Sequence, residues 1–82
     1  MKVEIYSKPQ CPYCVKAKNL ADLESLDYDY YMLDVDFTRE QLFEKFPTAR
    51  TFPQITIDGK SIGGYTEFES HIYVKKELNK HE

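Results

Sequence analysis

The chain has no tryptophan, three glycines, two histidines and only two cysteines in 82 residues. Each shortage excludes something. A structural zinc site takes four ligands, mostly cysteine and histidine. Here there is no second cysteine pair, and the histidines, His71 and His81, stand ten residues apart. Scaffolds stapled by disulfides are usually secreted chains with several cysteine pairs. No apolar run approaches the roughly 20 residues that cross a bilayer. Met1 to Ser7 carries one lysine and one glutamate and no long apolar core, so it does not read as a secretory signal. Basic residues number 11 against 14 acidic ones, a net charge of −3. That balance argues against non-specific nucleic-acid binding. The expectation is a cytoplasmic chain with no metal, no membrane span and no nucleic-acid partner. In that compartment a lasting disulfide is disfavoured and a catalytic one fits.

What is present is ordinary for a globular chain: 41% hydrophobic and 30% charged, with seven tyrosines and five phenylalanines. The length suits one domain, residues 1–82, with one modest core.

The two cysteines are Cys11 and Cys14, in Cys11-Pro12-Tyr13-Cys14. They follow a short apolar stretch and precede a helical pattern. At i and i+3 two side chains share one helix face, close enough for their sulfurs to bond. Cys11 would sit at the helix start, where unpaired N–H groups and the dipole favour an anion. The thiolate is the reactive form, and C-x-x-C sites at helix starts lower the thiol pKa from about 8.5. Pro12 suits the first helical position. Cys11 is therefore the candidate nucleophile and Cys14 the candidate resolving thiol. Two inert buried thiols are the plainer alternative, against which Pro12 and Tyr13 indicate an exposed turn.

Val3 to Tyr6 alternates as a strand. Residues 12 to about 26 read as a helix, with Cys14, Ala17, Leu20, Ala21, Leu23 and Leu26 as its apolar stripe. Tyr28 to Val35 is rich in β-formers. Thr38 and Gln41 form a capping box, with Phe37 and Leu42 as its staple. Leu42, Phe43 and Phe46 give that helix its core side, and Pro47 ends it. Phe52 to Ile57 reads as a strand, Asp58-Gly59 as a hairpin turn, and Ser61 to Gly63 as the returning strand. Thr66 and Glu69 suggest a second capping box, opening a helix to about Asn79 with Phe68, Ile72 and Val74 or Leu78 inward. The order is β-α-β-α-β-β-α. The first βαβ unit implies parallel strands and the hairpin an antiparallel pair. The fold class is α/β, a mixed four-stranded sheet flanked by three helices.

Three motifs in this order, Cys11-Pro12-Tyr13-Cys14, Thr51-Phe52-Pro53 and Gly63-Gly64-Tyr65-Thr66-Glu67, resemble a dithiol glutaredoxin of thioredoxin-like fold over essentially the whole chain. The resemblance implies a glutathione-dependent enzyme that reduces protein disulfides and protein–glutathione mixed disulfides through Cys11 and Cys14. Glutathione is its reducing co-substrate, and no cofactor is tightly bound. It implies a cis Pro53 and a Phe52 backbone that pairs with the cysteinyl part of glutathione, as an added strand would. Gly64 and the helix start at Thr66 would hold the γ-glutamyl end, Thr66 through its N–H and its capping hydroxyl. Glu67 would meet the ligand's ammonium, and Tyr13 would wall the groove. Lys8 would lower the Cys11 pKa and pair with a carboxylate. Thr51 and Tyr65 complete the implied glutathione-binding set. The family's Thr-Val-Pro is Thr-Phe-Pro here. A glutamine common in the family is absent, with Thr48 and Ala49 in that stretch before Arg50. The implied partners are glutathione and disulfide-containing or glutathionylated proteins, ribonucleotide reductase being a common one in the family, and the chain is expected to be a monomer. Two rivals share the fold: a protein reduced by thioredoxin reductase, and an iron–sulfur carrier. The carrier's Cys-Gly-Phe-Ser motif differs from this one at Pro12 and Cys14.

Overall fold

The computed structural model describes residues 1–80, with side chains through Val74. Four strands form one sheet: β1 (Lys2–Ser7), β2 (Asp27–Met32), β3 (Gln54–Ile57) and β4 (Lys60–Gly63). Three helices intervene: α1 (Pro12–Leu23), α2 (Arg39–Lys45) and α3 (Tyr65–Lys80). The spatial order is β2-β1-β3-β4. β1 runs parallel to β2 and antiparallel to β3, and β3 is antiparallel to β4. The order β-α-β-α-β-β-α and the mixed sheet are those expected.

Alternation along β1 splits the molecule into two cores. Val3 and Ile5 point to one face, where they pack with Ile55, Ile57, Ala17 and Ala21 of α1, and Phe68 and Ile72 of α3. Tyr6 points to the other, against Leu33, Phe37, Leu42 and Phe46 around α2. The Asp58-Gly59 turn has φ of +51° and +85°. Both central residues are thus left-handed, as a tight hairpin between twisted strands requires. Asp58 also fastens β1: its carboxylate accepts the Lys2 N–H and its own N–H donates to the Lys2 carbonyl, each at 2.8 Å.

Several expectations need correction. α1 stops at Leu23, because the chain turns through Ser25 at φ +54°; Leu23 is 78% exposed, although Leu26 still packs on the core. β2 ends at Met32, not Val35. Asp36 takes the Met32 N–H, Asp34 turns at φ +66°, and Val35 is left 78% exposed. Phe43 is exposed, since only Leu42 and Phe46 meet the sheet side of α2. β3 begins at Gln54 rather than Phe52. Val74 is exposed, while Leu78 lies outside the described side chains and His81 outside the described residues. The Thr38–Gln41 capping box forms as expected, with bonds of 3.1 and 2.8 Å.

Candidate active site

β1 delivers the chain to its helix start through a loop, Lys8 to Gln10, that turns at Gln10 with φ +57°. Cys11 is the N-cap of α1 in extended conformation, and Pro12 is the first helical residue. Cys11 and Cys14 are joined by a disulfide, with Cα atoms 5.3 Å apart. The Cys11 Sγ accepts the Cys14 backbone N–H at 3.2 Å. It thus occupies the place a capping oxygen takes in other helices. In the reduced state the same N–H and the positive helix end favour a Cys11 thiolate. Both cysteines are buried, Cys14 completely and Cys11 all but 8%; Tyr13 of the expected turn is exposed.

A groove of about 310 Å³ opens at Tyr13, between the two cysteines in sequence. Its lining comes from three separate segments: Tyr13 of α1, the loop residues Thr51, Phe52 and Pro53, and the β4–α3 junction from Gly64 through Tyr65 and Thr66 to Glu67. The volume lies in the range of small-molecule sites. The Phe52–Pro53 peptide is cis, and Pro53 is fully buried. The β3 ladders begin at Gln54, so the Phe52 backbone lies beyond them at a strand end. Gln54 Nε2 donates to the Thr51 carbonyl at 2.7 Å and holds that loop. Across the groove, a Cβ placed on Gly64 would come 3.4 Å from the Pro53 carbonyl oxygen. A side chain at residue 64 would thus sit in ordinary contact with the loop across the groove.

The helix start at α3 differs from expectation. Tyr65 is already helical, and Gly64 precedes it. The Gly64 N–H donates to Glu67 Oε1 at 2.9 Å, and the Phe68 N–H donates to the Gly64 carbonyl. Glu67, not the Thr66 hydroxyl, thus supplies the capping atom, in the reaching-back half of a capping box. Thr66 is instead the second helical residue. Its N–H is among those a helix start leaves unpaired. Glu67 lines the groove with one carboxylate oxygen already committed to Gly64.

Of the expected site residues, Cys11, Cys14 and Lys8 stand outside the groove lining; the Lys8 Nζ lies 5.8 Å from the centroid of the Phe52 ring. Two features at the groove's side went unread in the sequence. The Tyr13 and Tyr65 rings lie 6.0 Å apart, joining α1 to α3, and Lys16 Nζ sits 5.2 Å from the Tyr13 centroid. The i, i+3 spacing of Tyr13 and Lys16 was the available signal. The Tyr65 hydroxyl donates to Glu69 at 3.0 Å, which holds its pKa above the ordinary tyrosine value. Among the described residues no cluster of three or more His, Cys, Asp or Glu converges as a metal site.

The sequence model of the family described as Glutaredoxin matches residues 3–62. The chain belongs to the glutaredoxin family. A glutaredoxin from Haemophilus influenzae is 46% identical over 77 residues, 85% of this chain and 88% of its own length. Glutaredoxin 1 of Escherichia coli is 38% identical over 86 residues, covering 96% and 99% of the two chains. The crystal structure of glutaredoxin 1 from Francisella tularensis superposes with a TM-score of 0.75 at 33% identity, over 95% of this chain and 96% of that one. The fold is therefore thioredoxin-like, and the protein is a thiol–disulfide oxidoreductase of the glutathione-dependent kind. As in other glutaredoxins, glutathione is a co-substrate rather than a tightly bound cofactor.

Proposed function

We propose that Cys11 is the attacking thiolate, Cys14 the resolving thiol, and the Tyr13–Phe52–Thr66 groove the glutathione site. The observation that carries this is the junction of the three motif segments into one groove at Tyr13, two residues after the capping Cys11 and one before Cys14. Cys11 thiolate attacks the sulfur of a protein–glutathione mixed disulfide, taking the glutathionyl group and releasing the protein thiolate. A second glutathione thiolate attacks that glutathionyl sulfur, forming oxidised glutathione and restoring Cys11. With a protein disulfide, Cys11 forms a mixed disulfide and releases one protein thiolate. Cys14 then attacks Cys11, releasing the second thiolate and forming the Cys11–Cys14 bond. Two glutathiones reopen it in sequence. The thiolate must be populated yet nucleophilic, so a moderately lowered pKa serves better than an extreme one.

Each ligand group has a partner of suitable kind. The Phe52 backbone offers a strand edge, the Thr66 N–H a carboxylate site, and Glu67 a counter-charge for an ammonium. Lys8 supplies a cation for the other carboxylate. Partners are disulfide-containing and glutathionylated proteins, ribonucleotide reductase among them. We place the protein in the cytoplasm, as a single-domain monomer over residues 1–82. The edge strand β2 carries two charged residues, Asp27 and Asp29, a composition that disfavours edge-to-edge pairing with another sheet. The test traps glutathione on Cys11 in the Cys14→Ser variant and maps amide shifts. Shifts concentrated at Thr51, Phe52 and Gly64 to Glu67 are expected. Shifts centred instead on a second hollow beside α2, lined by Tyr6, Tyr31, Phe37 and Gln41, would refute the placement.

A further inference from the structure

Lys8 stands outside the groove, and its four-carbon stem has many conformers from which to serve it. The Phe52 ring removes much of that freedom. Lys8 Nζ lies 5.8 Å from the ring centroid, within the range in which an aromatic face attracts a cation. The ring itself is anchored, being partly buried against the second core with Leu33, Phe37, Leu42 and Phe46. Phe52 also lines the groove. One residue thus joins the second core and the lysine through its ring and takes part in the groove lining.

The charge it holds is unspent. Lys2 pairs with Asp27 and Asp29, Lys18 with Asp22, and Lys45 with Glu4. Among the described residues Lys8 has no carboxylate within ion-pair distance. A ring attracts the ammonium without neutralising it, so an arriving anion still meets a full positive charge.

We infer that Phe52 is a positioning residue, whose ring parks the Lys8 ammonium at the groove rim for the anionic end of glutathione. This rests on the groove being the glutathione site. Fixing the cation beforehand lowers the ordering cost when the ligand binds. An aliphatic residue at position 52 would leave the backbone edge intact and release the lysine.

The experiment is a double-mutant cycle read in the KM for glutathione at low salt, with kcat followed in parallel. Lys8→Ala should raise KM by up to about five-fold, the scale of an exposed ion pair with the ligand carboxylate converted to affinity. Phe52→Leu should raise it by a similar factor, and adding Lys8→Ala to Phe52→Leu should then cost little more. Phe52→Tyr, which keeps the ring, should keep the sensitivity of KM to Lys8→Ala that Phe52→Leu loses. A merely structural role for Phe52 would change thermal stability but leave the cost of Lys8→Ala the same in both backgrounds. That additivity, or no effect of Lys8→Ala in the wild type, overturns the proposal. The amide-shift map of trapped glutathione tests the groove separately: shifts in the groove together with an additive cycle reject the ring's role alone, whereas shifts elsewhere reject both.

Discussion

At the scale of single residues, the chemistry depends on one sulfur being different from its neighbour. Cys11 and Cys14 are three apart, but one caps a helix and the other is sealed beneath it. A helix N-terminus is worth about 0.3–1 kcal/mol to an anion at the surface and up to ~2 when partly buried. Against 1.36 kcal/mol per pKa unit, that alone lowers a thiol by up to about 1.5 units. The rate of alkylation of the reduced protein against pH should show Cys11 titrating below about 8.5 while Cys14 stays protonated at neutral pH. A Cys11 inflection at the free value would remove the electrostatic account. The placement of the cysteines was legible because spacing and Pro12 imply a helix start, and Cys11 is the N-cap of α1. The capping role of Glu67 was not, because Thr66-x-x-Glu69 and Gly64-x-x-Glu67 both fit a helix opening. The helix starts at Tyr65, which leaves Gly64 as the cap and Glu67 as the residue that reaches back.

At the scale of elements, one capping box and the hairpin turn held, whereas the inward face of a helix was misjudged where burial alone decides. Thr38 and Gln41 close their box as the sequence indicates, and Asp58-Gly59 turns the hairpin. Thr38→Ala should cost about 1 kcal/mol of stability, within a range of roughly 0.5–2, measured by denaturant unfolding. Leu23, Val35 and Phe43 are apolar yet exposed, because hydrophobicity does not say which turn of the chain will face the sheet. The α1–β2 connection carries a polar clamp in which the Tyr28 hydroxyl donates to Asp22 at 2.6 Å and Lys18 pairs with it at 3.2 Å. First the Tyr28 hydroxyl and then Lys18 hold the Asp22 carboxyl below its ordinary 3.8. Its contribution is therefore complete above about pH 4 and fades as pH falls through the lowered folded value. Asp22→Asn should lower the Tm modestly at pH 7, and the gap to wild type should narrow below pH 4. A gap unchanged by acid would assign the effect to something other than the charge.

At the scale of the whole molecule, one sheet separates two cores, and the active-site elements share one of them. α1, with both cysteines, and α3, with the groove's helix start, meet on the Val3–Ile5–Ile55 face, where Phe68 is fully buried. Phe68→Ala should destabilise by about 3–5 kcal/mol, a large part of what so small a domain has. The element order and parallel–antiparallel pattern were legible from alternation, turn residues and the βαβ rule. The gathering of Tyr13, Phe52 and Thr66 into one groove was not deducible from spacing; it came from resemblance, since sequence distances say nothing of which loops meet. The measurement that tests the central claim most directly compares Cys11→Ser and Cys14→Ser in two glutathione-coupled assays, one with a glutathionylated protein and one with a protein disulfide. The account predicts that Cys11→Ser loses both activities, while Cys14→Ser keeps deglutathionylation and loses most disulfide reduction. Equal losses for the two variants in both assays would contradict it.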